Sequence, residues 1–327
     1  MSSNEAIEQL LHELGAHHAQ SPERVRILRS VVTRFVELAE FDMDDGDLRV
    51  AATVMNELLE AANVFSPWRD HPKLTVFGSA RTKPDSPLYA MASELSKRMA
   101  ERGWITVSGA GPGIMEAAAM GAGRDRTLGV NIELPFEQSS NAYVDAETRL
   151  VEMKYFFTRK VALTKESLAF AIFPGGLGTM DETFEVLTLL HTGKSRPAPV
   201  VLIDVPKGTY WEKWQHFVDD AIIDAGYVAG ADMCLFRICH SLESAIAEIE
   251  RFFTNYASFD LADGRGHLSV RQGPTPDELD ELANTLPVFS DGRGFEFDGE
   301  STLSFAFDGR NYVSLRLLID IVNGWVA

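Results

Sequence analysis

The stretch Leu168-Ala-Phe-Ala-Ile-Phe-Pro-Gly-Gly-Leu-Gly-Thr-Met-Asp-Glu182 reads as a short apolar strand that runs into a glycine-rich turn and then opens a helix. A strand with no polar face must be covered on both sides, which is the signature of a parallel sheet between helix layers. Four more runs of this kind, Leu74 to Phe77, Trp104 to Val107, Thr127 to Ile132 and Val200 to Ile203, alternate with helical patterns near Leu88 to Arg102, Gly113 to Gly121, Glu152 to Thr164, Thr179 to Thr192 and Trp211 to Asp224. Together they predict an α/β fold with a doubly wound, Rossmann-like parallel sheet, closed by Leu235 to Ile238 and a helix over Leu242 to Tyr256.

Outside this core the pattern changes. Residues 1–70 carry apolar residues at three-and-four spacing, as in Val25, Leu28, Val32 and Phe35, which predicts a helical extension acting as a cover or an oligomerisation element. Pro22 after Ser21 is placed to start one of its helices. The core is expected over 71–257. Residues 258–327 read as a small α/β unit: an alternating run His267 to Arg271, a helix opened by Thr275, strands at Phe295 to Phe297 and Leu303 to Phe307, and a last helix from Tyr312 to Val322. A chain of 327 residues agrees with about two domains.

Composition narrows the function. With 48 acidic and 30 basic side chains the net charge is −18, which argues against nucleic-acid or anionic-membrane partners and requires any anionic ligand to find a local positive site. The two cysteines, Cys234 and Cys239, build neither a disulfide framework nor a four-cysteine zinc site, in keeping with a reducing compartment. Met1 to Leu14 holds three Glu and no Lys or Arg, unlike a leader peptide, and no run reaches the ~20 apolar residues of a membrane span. A cytoplasmic protein is expected. The histidines lack metal-ligand spacing, so no metal is expected.

Three turns at strand ends should line one crevice at the carboxyl edge of the sheet. In the first, Gly175, Gly176 and Gly178 are expected to allow positive φ and to leave no Cβ in the way, so that backbone N–H groups and the Thr179 hydroxyl cradle a phosphate at a helix N-terminus. The second, Ser108-Gly-Ala-Gly-Pro-Gly-Ile-Met-Glu116, has Ile114 where the dinucleotide fingerprint needs its third glycine, which disfavours NAD. The third is Phe77-Gly-Ser-Ala-Arg81. Gly111 and Ser79 are the substrate-binding candidates of these two turns. A helix expected over Val151 to Thr164 would bring Lys154, Arg159, Lys160 and Lys165 close to the cradle. No Gly-Lys-Ser/Thr follows the glycines, so triphosphate hydrolysis has no support.

Pro174-Gly-Gly-x-Gly-Thr-x-x-Glu182, with Arg159-Lys160 upstream, resembles the Lonely Guy (LOG) family of cytokinin-activating nucleoside 5′-monophosphate phosphoribohydrolases, and the likeness extends over about Leu74 to Gly226. The helical extension, the C-terminal unit and Glu116 look more like the longer bacterial members, the nucleotide 5′-monophosphate nucleosidases. The resemblance implies cleavage of a nucleoside monophosphate, AMP or a cytokinin ribotide, to free base and ribose 5-phosphate, without cofactor, on a homodimer or higher homo-oligomer. It implies Arg159 and Glu182 as the catalytic pair, with Lys160, the cradle Gly175 to Asp181, Thr188 and Glu137 contacting substrate. A carboxylate beside the anomeric carbon suits an oxocarbenium-like transition state, while an arginine binds base or phosphate and is a poor proton donor. The alternative is a nucleotide or molybdenum-cofactor carrier of the same fold, which would need the glycines but not the pair. A pyridoxal-phosphate decarboxylase lacks a lysine in a Schiff-base setting.

Overall fold

The computed structural model describes residues 9–10, 12–13, 21–134, 140–289 and 294–326. The chain divides into two compact units, Met1–Asn56 and Glu57–Ala327. In the first, α1 (Pro22–Glu40) starts as expected, with the Ser21 side chain accepting from the Arg24 N–H and proline at N1. The second helix, α2 (Asp45–Phe65), begins in the first unit and ends in the second.

The core of the second unit is a seven-stranded sheet with every pairing parallel. Its strands are β1 (Lys73–Phe77), β2 (Ile105–Ser108), β3 (Thr127–Ile132), β4 (Leu150–Met153), β5 (Ala169–Ile172), β6 (Val200–Ile203) and β7 (Arg237–Cys239), in the spatial order β4-β3-β2-β1-β5-β6-β7. Successive side chains feed opposite faces. Phe170 and Ile172 join one apolar cluster, while Ala169, Ala171 and Phe173 join the other. Both faces are therefore sealed. The helices between the strands are α3 (Pro87–Glu101), α4 (Ile114–Ala122), α5 (Phe156–Lys165), α6 (Leu177–His191) and α7 (Tyr210–Val218), followed by α8 (Leu242–Phe252).

Two segments depart from the sequence expectation. The helix expected from Val151 starts only at Phe156, because Leu150–Met153 forms the edge strand β4, with Val151 and Met153 buried and Glu152 exposed. Lys154 thus precedes the helix rather than lying on it. Likewise α8 ends at Phe252, and β8 (Tyr256–Ala262) follows across the expected 257/258 boundary.

β8 opens a second sheet, antiparallel, with β9 (Arg265–Val270), β10 (Glu296–Phe297) and β11 (Thr302–Ala306) in the order β10-β11-β9-β8. Helices α9 (Pro276–Thr285) and α10 (Tyr312–Asn323) complete the unit, and Leu268, Val270, Leu303 and Phe305 alternate inward to its own apolar cluster. Two buried asparagines tie it to α8. Asn323 Oδ1 accepts from the Asn255 and Tyr256 N–H groups at 2.8 and 2.9 Å, and its Nδ2 donates to the Phe252 carbonyl at 2.8 Å. No described helix is long and apolar enough to cross a membrane.

Candidate active site

Strand order reverses between β1 and β5, since the chain adds β2, β3 and β4 on one side and β6 and β7 on the other. Ligands of open α/β sheets bind where such a reversal parts the loops at the carboxyl ends. Here the turns after β1 and β5 are joined by a bond from the Ser79 N–H to the Pro174 carbonyl at 3.2 Å, and the Ile114 N–H reaches Ser79 O at 3.1 Å from the second glycine turn. Gly113, with φ +68°, stands so close that a Cβ there would lie 2.3 Å from Ser79 O. The three turns form one floor.

The cradle works differently from the sequence expectation. Gly175, Gly176 and Gly178 are not among the positive-φ glycines. What they supply is room, for Gly176 and Gly178 have nothing within 4 Å of a Cβ position. The first intrahelical bond of α6, from Met180 N–H to Gly176 O at 3.1 Å, leaves the N–H groups of Leu177, Gly178 and Thr179 outside the helix ladder. Gly176, Gly178, Thr179, Asp181 and Glu182 line a cleft of about 600 Å³, within the roughly 300–1,000 Å³ usual for small-molecule sites. Phe77 to Arg81, Met115, Ile132, Leu134, Phe156 and Arg159 complete it.

Arg159 enters from α5. Its Nε donates to the Val130 carbonyl at 3.0 Å, and its guanidinium lies where a Gly109 Cβ would be, 2.0 Å from Nη2. Burial lowers its pKa and the Glu182 carboxylate opposes that shift. It remains a cation. Glu182 is only 7% exposed, and its Oε2 has no hydrogen-bond partner among the described residues. Burial drives its pKa up to about 7, against the pull of Lys160 and Arg159, with Glu185 and Asp181 adding repulsion. A carboxyl group buried unpartnered at a cleft wall costs stability, which marks it as a functional candidate.

The remaining candidates fall into groups. Lys160 is held by Asp181 at 3.0 Å and Glu185 at 2.5 Å. Burial works against its charge, but these two bonds outweigh it and raise the pKa. Ser79 Oγ accepts from the Arg81 N–H at 3.1 Å within its turn, and the Gly111 carbonyl is taken by Asn141 Nδ2 at 3.1 Å. Thr188 lies outside the cleft, in a separate apolar depression with Phe184, Leu187, His191 and Trp214. Glu137 lies outside the described residues. Among the described residues no three His, Cys, Asp or Glu side chains gather as a metal site.

The family model described as a possible lysine decarboxylase matches residues 113–249, from the second glycine turn into α8, and so includes both Arg159 and the cradle. Over this stretch the chain is similar to proteins of the LOG family. It is 28% identical to a cytokinin riboside 5′-monophosphate phosphoribohydrolase of Mycobacterium tuberculosis over 176 residues, 51% of this chain and 88% of that one. Another protein of that name, LOG of Oryza sativa subsp. japonica, is 27% identical over 183 residues, 55% of this chain and 72% of its own. A solved molybdenum cofactor carrier protein from Chlamydomonas reinhardtii superposes with a TM-score of 0.40 at 24% identity, covering 55% of this chain and 97% of that one.

Two residues that sequence reasoning missed lie before the stretch that the family model matches. Arg81 lines the cleft, and its only signal was a lone arginine closing a turn in an acidic chain. Glu57, on α2, is 3% exposed. It accepts from the Lys154 N–H at 2.7 Å and from the Thr158 hydroxyl, so it fixes the start of α5 beside Arg159. Glu57→Ala is expected to strand both donors, lowering stability by about 1–3 kcal/mol and kcat/KM with it. Glu57→Gln, which keeps an acceptor for Lys154, should recover most of both in thermal melts and in turnover assays.

Proposed function

We propose that this protein hydrolyses the N-glycosidic bond of a nucleoside 5′-monophosphate, AMP or a cytokinin ribotide, releasing free base and ribose 5-phosphate. The observation that carries the reading is the buried Glu182 carboxyl, with one oxygen unpartnered, on the same cleft wall as Arg159 and one turn from the glycine cradle. The names of the LOG relatives support it.

In this mechanism the 5′-phosphate sits against the free N–H groups at the start of α6, which sets the ribose beside Glu182. As the C–N bond breaks, positive charge grows on the anomeric carbon, and the Glu182 carboxylate stabilises it. The carboxylate takes a proton from the attacking water, whose oxygen bonds to that carbon, and the departing base nitrogen gains a proton in turn. Arg159 hydrogen-bonds the departing base or the phosphate. Lys160 acts through Asp181 and Glu185, whose charge it balances around Glu182. The chain is proposed to work in the cytoplasm as a homodimer or higher homo-oligomer, a reading supported by the exposure of the apolar side chains Phe157 and Val161 on α5.

The test is to incubate the purified chain with AMP and isopentenyl-AMP and follow free base and ribose 5-phosphate. Cleavage of the monophosphates, with the parent nucleosides at least about 100-fold poorer, is expected. Tight binding of nucleotide with no product from any nucleoside monophosphate would support the carrier instead.

A further inference from the structure

Phosphate at this cleft faces an electrostatic difficulty. A phosphate monoester carries roughly −1.5 to −2 charges at neutral pH. It would enter a protein of net charge −18, against a wall that presents Asp181 and Glu182. The cations named by the family motif are largely committed. Lys160 lies between Asp181 and Glu185, and Arg159 is held at Val130 and faces Glu182. The cleft has one further cation among the described residues, Arg81. It is exposed, and no acidic side chain among the described residues pairs with it.

Its position suits an anion held by the cradle. Arg81 ends the turn after β1, and that turn is joined to the cradle turn through the Ser79-to-Pro174 bond. The Ser79 hydroxyl accepts the Arg81 backbone N–H, which fixes the point from which the side chain departs. An anion between the N–H groups of Leu177 to Thr179 and this guanidinium would be gripped by neutral donors on one side and by a planar cation on the other.

We infer that Arg81 is the phosphate-anchoring residue of the cleft, a specificity-determining contact that selects 5′-phosphorylated ligands over nucleosides. The inference rests on the nucleotide reading of the cleft but not on turnover. Arg81 precedes residues 113–249, the stretch that the family model matches. Its charge would offset that of the phosphate where Asp181 and Glu182 oppose it, and its five donors allow a bidentate grip that lysine cannot copy.

The experiment titrates ribose 5-phosphate and, separately, adenosine into the full chain and into its Arg81→Ala and Arg81→Lys variants by calorimetry. Because the side chain is exposed, the variants should melt with the parent. Arg81→Ala is expected to weaken ribose 5-phosphate on the order of 10–100-fold, with Arg81→Lys between the two and adenosine changed less than about 2-fold. Where AMP is cleaved, its kcat/KM should fall by a similar factor. The inference is overturned if ribose 5-phosphate fails to bind the parent chain, if its affinity is unchanged in Arg81→Ala, or if adenosine weakens equally. Arg81-dependent binding of ribose 5-phosphate by a chain that cleaves no nucleoside monophosphate would uphold this inference while ending the enzymatic reading.

Discussion

Glu182→Gln is expected to lower kcat/KM for a nucleoside 5′-monophosphate by roughly 10³-fold and, above pH 7, to make the protein more stable. Both effects come from the same burial. The amide keeps the size of the side chain and removes the charge that would meet the oxocarbenium-like centre. In the parent, Glu182 titrates near 7, against an unperturbed value of 4.5. A carboxyl whose folded pKa is raised binds its proton more tightly in the folded state, so stability falls as pH rises from about 4.5 to about 7 and is flat above. Some 2.5 pKa steps at 1.36 kcal/mol each put the cost at about 3 kcal/mol. Denaturant melts at pH 5 and pH 8 should show the glutamine variant gaining most of that difference. In the active parent, kcat/KM should climb through about pH 7 as the free enzyme loses this proton. A variant that keeps activity, or a parent whose rate is flat through neutrality, would remove Glu182 from the role assigned to it.

Asn323→Ala is expected to cost about 3–5 kcal/mol, because it strands the Asn255 and Tyr256 N–H groups and the Phe252 carbonyl in the interior. Asn255 itself has no solvent exposure, and its amide spans the Gln272 and Val322 carbonyls at 3.0 and 2.9 Å, so water cannot easily replace what is lost. Asn284→Ala is the control. That side chain is exposed on α9 and bonds only within its own helix, so its removal should stay within about 0.5 kcal/mol. Equal melting of the two variants would show that the asparagine pair is not what fastens the second sheet to α8.

The parts of the fold most legible in the sequence were those that physics makes conspicuous. Strands β1, β2, β3, β5 and β6 are buried on both faces, so each left an unbroken or nearly unbroken apolar run. Two of the edge strands did not. β4 has only Val151 and Met153 buried, and β8 only Tyr256, so both merged with the helices beside them. At the site, the glycines were visible but their purpose was not, because bare space for a ligand and positive φ are written with the same residue. Glu57 was invisible. A glutamate on an amphipathic helix reads as solvated, and here the burial is set by partners 97 and 101 residues further along the chain.

The same glutamate bears on modularity. The stretch from Lys73 to Phe252, with the whole parallel sheet and its helices, invites excision as a self-sufficient enzyme. Yet the last turns of α2 contribute Ala61 and Phe65 to the larger apolar cluster, and Glu57 supplies the acceptor for two donors at the head of α5. A chain trimmed to Lys73 would keep every residue of the family motif and lose the splint that sets Arg159. The part of this protein that can be transplanted with its chemistry intact therefore begins upstream of the motif's own borders, before Glu57.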